Sequence, residues 1–423
     1  MSCALKFLCF KNILPIRHIQ SAKFLHSQRY ITNNIRRLFP QKVPIKTIFI
    51  RNIKRQNSIK TELACEKTIS KSKAVGYWLL GCSGMVIGAV ILGGVTRLTE
   101  SGLSMVTWKF LGEKIPKSDE EWIVEFEKYK QYPEFKYKNH TITLGEFKWI
   151  WYMEFAHRMW GRTLGLVFLM PAIYFWSKGA FNKTMKIRVP IFGCLIAAQG
   201  LLGWYMVKSG LEDRFQGEND VPKVSHYRLA SHLTLAFILY SLFLWSALDH
   251  LLPAQTLTNI SQQSLKTAGT FRMLAHSCKG FVFLTAVSGA FVAGLDAGLV
   301  YNSFPKMGDK WIPEEVLALK PKASNFTENP VTVQLEHRLL GTTTLCLISG
   351  LWLMSRRLIL PPRAYAAVNT LAIMVWFQVT LGITSLLTYV PVPVAASHQS
   401  GSLALLSFAV WLTHELKRLP KAL

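Results

Sequence analysis

The chain has 423 residues, half of them hydrophobic and only 17 % charged. A soluble domain carries about 25 % charged residues, so this balance argues against an ordinary soluble enzyme and for a membrane protein. The formal net charge of +25 is unevenly spread, with sixteen Lys and Arg against Glu62 and Glu66 in residues 1–73, a balance of +14.

Residues 1–73 read as a mitochondrial transit peptide and a basic, matrix-facing segment. The first 61 residues hold no acid, and basic residues alternate with apolar ones, as in Arg36-Arg37-Leu38-Phe39. An inner-membrane potential draws such a segment inward. A nucleic-acid-binding arm is also basic, but a membrane protein has little use for one, and no nucleic acid partner is expected. The seven cysteines form no C-x-x-C pair, which argues against a thiolate metal site.

A helix needs about 20 apolar residues to cross the lipid bilayer. Eight segments meet this, at roughly 74–97, 150–176, 188–207, 228–248, 279–299, 337–355, 364–388 and 394–415. The loop at 177–188 is basic, with Lys178, Lys183, Lys186 and Arg188, and so are Arg356, Arg357 and Arg363 after the sixth segment. Lys417, Arg418 and Lys421 follow the eighth. With eight spans all of these face one side, the matrix by the positive-inside rule. The expectation is a multi-pass inner-membrane protein with both termini in the matrix.

The chain also resembles itself. Gly88-Ala89-Val90-Ile91-Leu92-Gly93 matches Gly289-Ala290-Phe291-Val292-Ala293-Gly294, and His157-Arg158-Met159-Trp160-Gly161 matches His337-Arg338-Leu339-Leu340-Gly341. Gln199-Gly200-Leu201-Leu202-Gly203 matches Gln378-Val379-Thr380-Leu381-Gly382, and Ala230-Ser231-His232 matches Ala396-Ser397-His398. Four matches in one order predict an all-α membrane protein of eight transmembrane helices, built as two tandem, pseudo-twofold-related four-helix bundles. The halves run over 74–250 and 279–416, joined by a matrix linker at 251–278 and followed by a basic matrix tail at 417–423.

Four histidines fall at repeated positions inside spans: His157, His232, His337 and His398. A histidine in a membrane is costly and marks function by default. Two imidazoles facing each other in a four-helix bundle are a common way to ligate haem iron. Zinc needs further ligands, and only Glu154 and Glu336 lie near. Glu154, His157, Arg158 and Gly161 share one helix face. Gly161 and Gly341 let a flat macrocycle approach the backbone. Arg158, Arg162 and Arg338 suit haem propionates. Aligned on the histidines, Glu154 corresponds to Gln334. Only the first half therefore carries a carboxylate that can act as a base, which suggests a reacting first half and a second half with a permanent cofactor. A structural ion pair with Arg158 is the plainer reading of Glu154.

Glu154-Phe155-Ala156-His157-Arg158-Met159-Trp160-Gly161-Arg162 resembles the signature of the haem A synthase family. Gly93-Gly94-Val95-Thr96-Arg97-Leu98-Thr99-Glu100-Ser101-Gly102-Leu103-Ser104, Gly294-Leu295-Asp296-Ala297-Gly298, Asn302-Ser303-Phe304-Pro305, Leu335-Glu336-His337-Arg338 and Ser397-His398-Gln399 agree with it. The resemblance covers about residues 74–416 and, with the presequence, is to the mitochondrial form. It implies two successive oxidations of the haem O C8 methyl, through hydroxymethyl and gem-diol, to the formyl of haem A for cytochrome c oxidase. It further implies that His337 and His398 hold a haem b cofactor, with Arg338 and Gly341 against it. His157 and His232 would bracket haem O, with Arg158 and Arg162 binding it and Glu154 catalytic. Implied partners are haem O synthase and a matrix ferredoxin as electron donor, and a homo-oligomer is compatible with the reading. Some bacterial members carry a cysteine pair in an outer loop, and loops 100–147 and 300–334 here have no cysteine.

The residues alone leave two rivals. One is a di-haem electron-transfer cytochrome without haem-modifying activity. The other is a haem transporter.

Overall fold

The computed structural model describes residues 45–109, 112–212, 222–253 and 262–417, with side chains for all but 45–71 and 262–266. Most of the expected transit segment, part of the expected linker and all but Lys417 of the basic tail lie outside the described residues. The chain divides into two units, Met1–Ala74 and Val75–Leu423. The described part of the first is helical backbone.

Among the described residues the chain is helical, without a β-strand. The elements are α1 (Ile45–Leu98), α2 (Asp119–Lys130), α3 (Pro133–Tyr137), α4 (Leu144–Ser177), α5 (Lys183–Leu211), α6 (His226–Leu251), α7 (Gln262–Gly294), α8 (Asn325–Glu328), α9 (Pro330–Ser355), α10 (Pro362–Leu387) and α11 (Val392–Leu416). Local chemistry sets their starts. Thr143 and Glu146 form a reciprocal capping box on α4, which satisfies donors the first turn leaves open. The Asn182 side chain accepts from Met185 N at 2.8 Å on α5. Asn329 caps α9, and Pro330 follows at its first position, where a missing N–H does no harm.

Six helices are long and apolar enough to cross a membrane: α1 from Ser72, α5, α6, α7 from Thr267, α9 and α10. Helices α4 and α11 have 34 and 25 residues. They are more polar, because α4 carries Arg158 and Arg162 and α11 carries His398, Gln399 and several serines. Helix α4 nevertheless exposes Leu169, Met170 and Ile173, and α10 exposes Ile373, Trp376 and Phe377. Water does not solvate such faces cheaply, whereas lipid does.

The seventh helix departs from expectation at its end. The apolar segment runs to 299, but α7 stops at Gly294. Asp296 takes a left-handed φ of 52°, which aspartate tolerates better than most residues. Its carboxylate is held by Arg97 at 2.7 Å and Lys223 at 3.2 Å. Two cations from other segments thus fix the chain where it leaves the helix.

Helix α7 packs on α9, α9 on α10, α10 on α11, and α11 back on α7. Helix α4 packs on α5 and α5 on α6. Helix α1 joins α4 where Trp160 Nε1 donates to Met85 O at 2.7 Å and Trp78 Nε1 to Val167 O at 3.0 Å. It approaches α6 at Gly76, where an added Cβ would come 2.7 Å from Leu251. The two sets meet through α6 on α7 and α11, and Gln399 Nε2 donates to Val90 O at 2.9 Å. One apolar core, including Phe168, Phe192, Phe243, Phe271, Val368 and Leu406, runs through both.

The ends of the bundle differ. Residues 100–109 and 112–147 form a small layer at one end, with an aromatic cluster built on Trp122, Phe126, Tyr129 and Phe147 together with Trp151 of α4. At the other end Asp249 of α6 binds Arg188 of α5 at 2.9 Å, His414 of α11 at 3.1 Å, and Lys417. Arg363 pairs with Glu415 at 3.2 Å. Some of the basic residues that mark one side of the chain are therefore also used to tie helices together.

Candidate functional site

The four repeated histidines, Glu154, Arg158, Arg162, Arg338, Gly161 and Gly341 all line one cavity of about 1740 Å³. An ordinary small-molecule pocket measures roughly 300–1,000 Å³, so this one suits a large ligand or two. The helices bring the histidines there from α4, α6, α9 and α11.

Each imidazole lies against a glycine of the preceding long helix. An added Cβ on Gly93 would come 2.8 Å from His157 Cε1, and on Gly382 2.8 Å from His398 Cε1. The corresponding distances are 3.4 Å for Gly203 and His232 and 3.2 Å for Gly289 and His337. Only glycine leaves room for the rings at the two closest positions. The repeat is imperfect here. The sequence match pairs Gly88 with Gly289, yet Gly88 lies against Trp160 while Gly289 lies against His337. Leu340 stands at the position of Trp160 in the second half, so the bulky indole takes up that space only in the first.

The His337 and His398 rings stand 6.3 Å apart between centroids, nearly perpendicular at 86°. Two imidazoles bound across one metal ion at about 2.0 Å each have centroids about 6 Å apart. Their outer nitrogens are also held. His337 Nδ1 pairs with Ser288 Oγ at 2.7 Å and His398 Nδ1 with Gln378 Nε2 at 3.1 Å. Ser288 Oγ can accept from His337 Nδ1, the kind of contact that fixes ring and tautomer in a metal-ligating histidine, and Gln378, which also donates to His398 O at 2.8 Å, holds the His398 ring in place. In the first half the Nδ1 atoms of His157 and His232 are buried without a hydrogen-bond partner. Ile87 stands where the second half has Ser288. Gln199 repeats Gln378 only in part, donating from Nε2 to His232 O at 3.1 Å. Added Cβ atoms on Gly161, Gly200 and Gly341 would meet no protein atom within 4 Å. Orphaned ring nitrogens and open glycine faces together suit a flat, metal-bearing ligand.

Glu154 is 3 % and Arg158 7 % exposed. Glu154 Oε1 accepts from Arg158 Nε at 2.6 Å. Arg158 also donates to Met105 O and Thr107 O, both at 2.8 Å, and lies 4.8 Å from the Trp108 ring centre. Arg162 donates to Lys109 O at 2.6 Å. Arg338 donates to Tyr301 O at 2.9 Å and to Gln334 Oε1 at 3.2 Å. The i,i+4 pair therefore recurs in both halves, as carboxylate–guanidinium in the first and amide–guanidinium in the second. In both, the arginine clamps the loop that follows the half's first long helix. The sequence does not signal this clamping, because main-chain acceptors are independent of residue identity. It also missed Ser288 and the buried Glu134, which borders the same cavity.

Fold and site together define an all-helical protein with membrane-length helices and two repeated histidine pairs around one cavity. Residues 76–410 match the family model described as COX15-CtaA, cytochrome oxidase assembly protein. The chain belongs to that family. It is 58 % identical over 350 residues to Heme A synthase COX15 of Mus musculus, covering 82 % of this chain and 83 % of the relative. It is 42 % identical over 364 residues to Heme A synthase of Nitrosospira multiformis, covering 85 % of this chain and 99 % of the relative. A Heme A synthase-mitochondrial ferredoxin fusion protein of Schizosaccharomyces pombe is 41 % identical over 371 residues, covering 82 % of this chain and 60 % of the relative.

Proposed function

We infer that this chain is a mitochondrial haem A synthase, an oxidoreductase that converts the C8 methyl of haem O to the formyl of haem A. The observation that carries the reading is the inequality of the two histidine pairs, set against the high identity to haem A synthases. One pair has its rings held 6.3 Å apart by side-chain partners. The other has orphaned ring nitrogens and a buried carboxylate beside it. In this reading all eight long helices cross the inner membrane as two four-helix bundles, with both termini in the matrix.

His337 and His398 would hold haem b, with Arg338 and Gly341 beside it. That group would supply one-electron redox capacity. His157 and His232 bracket the substrate haem O, with Arg158 and Arg162 toward its propionates. A substrate must enter and leave, and rings without side-chain partners are the easier pair to reposition. Arg158 fixes one oxygen of Glu154, so the carboxylate enters the cavity in a set orientation. There it takes protons as the methyl and then the hydroxymethyl are oxidised. The amide of Gln334 cannot do this, which confines the chemistry to the first half.

The substrate comes from haem O synthase, and an acidic ferredoxin supplies electrons from the matrix. The fused relative favours the second of these. Arg356 is stacked on Trp352 and Tyr365 and bound to Asn369. Lys183, Lys186 and Arg357 are exposed and are the residues proposed to dock it. The test is to purify the full chain made in cells that supply haem O, and to analyse its extracted haems by chromatography and mass spectrometry. Haem b together with haem O, hydroxymethyl haem or haem A is expected. Haem b alone, at two per chain, would refute the enzyme and leave a di-haem electron carrier.

A further inference from the structure

Glu134 sits in α3, in the layer at one end of the bundle, and is only 4 % exposed. A buried carboxyl outside the helical core needs a reason. Its Oε2 accepts from Tyr129 OH at 2.9 Å, and Asn139 Nδ2 donates to that same hydroxyl at 2.9 Å. It borders the histidine cavity together with Glu154, Glu100 and Lys138. Glu100 and Lys138 form an ion pair at 2.5 Å, and the Glu100 side chain is 49 % exposed. Glu154, Glu134 and Glu100 thus line the cavity from a buried carboxyl near His157 to one open to water.

We propose that Glu134 is the proton relay between the first-half histidine site and the outer aqueous face, passing protons between Glu154 and the Glu100–Lys138 pair. The proposal rests on the haem A synthase reading. Glu154 takes a proton as the substrate is oxidised and, being buried and tied to Arg158, must pass that proton on before it can act again. The relay step moves no electron. One Glu134 oxygen takes a proton, an O–H bond forms, and the carboxyl then releases a proton outward.

A relay must exchange protons near ambient pH. Burial pushes the Glu134 carboxyl up to about 7, opposed by the Tyr129 hydrogen bond and the Lys138 charge, with Glu100 and Glu154 adding to the rise. Helix α5 also packs on α3. Its last turn brings buried Val207, Ser209 and Gly210, and its Lys208 lies over the Trp204 ring.

The test uses the full chain loaded with haem b and haem O. Glu134→Gln keeps the size and a Tyr129 acceptor but carries no exchangeable carboxyl proton. Its haem A formation should fall about a hundredfold, with both haems still bound and the pH dependence near 7 abolished. Glu134→Asp should restore part of the rate. Tyr129→Phe removes a hydrogen bond that favours the ionised carboxyl, so its pH midpoint should move upward. Infrared titration should show a carboxyl band in the wild type with a midpoint of about 7, absent from Glu134→Gln. Glu134→Gln turning over like the wild type would overturn the relay. So would a slow Glu134→Gln accompanied by an unshifted midpoint in Tyr129→Phe. Should Glu134→Gln not fold, the Tyr129→Phe midpoint alone decides. A wild type that makes no haem A would instead take down the functional reading, and the relay with it.

Discussion

The Glu154–Arg158 pair separates catalysis from stability. Replacing Glu154 by Ala leaves the Arg158 guanidinium buried at 7 % exposure without its carboxylate. Breaking a buried pair in this way costs about 3–5 kcal/mol. Replacing it by Gln is milder. Arg158 keeps Met105 O, Thr107 O and the Trp108 face, and the second half shows that an amide can stand there, with Arg338 on Gln334 at 3.2 Å. What is lost is the difference between a hydrogen bond with both partners charged and one with a neutral acceptor, roughly 1–2 kcal/mol. Thermal unfolding in detergent, followed by tryptophan fluorescence, should therefore rank wild type above Glu154→Gln, and Glu154→Gln well above Glu154→Ala. Haem A formation should fall about a hundredfold or more in both, with haem O accumulating. Near-normal haem A formation by Glu154→Gln would refute the role of the carboxylate. Equal stability of Glu154→Ala and wild type would refute the buried ion pair as a support of the outer loop.

Three further outcomes follow from the site. Ser288→Ala removes the Nδ1 partner of His337 and should weaken second-half haem binding about 10–100-fold, read by haem titration; unchanged affinity would mean that Ser288 does not orient the ring. Gly382→Ala puts a Cβ 2.8 Å from His398 Cε1 and should empty the second-half site, whereas Gly341→Ala meets no protein atom within 4 Å and should leave the fold intact while lowering haem content; equal stability and equal haem loss in both would refute the contact. Charge reversal at Lys183 and Arg357 should slow reduction by an acidic ferredoxin, most strongly at low salt; a rate insensitive to both changes at every ionic strength would remove that face from electron delivery.

The chain itself determined much of this protein. Apolar length located the six described helices that are long and apolar enough to cross a membrane, because crossing a bilayer imposes composition directly. The four matches between the two halves picked out the histidines and the Glu154–Gln334 difference, because both are statements about residue identity. Helix ends were less legible. Helix α7 stops short of its apolar run because Arg97 and Lys223 hold Asp296, two partners distant in sequence.

The tertiary structure decided which neighbours each histidine has. Gly93 and Gly289 touch their histidines from positions that do not align, since Trp160 fills the place that Leu340 leaves open. Ser288 and Gln378 reach imidazole nitrogens in the second half, and nothing does so at His157 or His232 Nδ1 in the first. Arg158 and Arg338 are bound to main-chain carbonyls, acceptors that every residue carries and no motif can mark. Glu134 looked like any surface acid, and only the folding of residues 112–147 over the cavity buries it. Residue identity sets which groups are present. Side-chain volume and long-range contact set what those groups can reach, and that requires the folded chain.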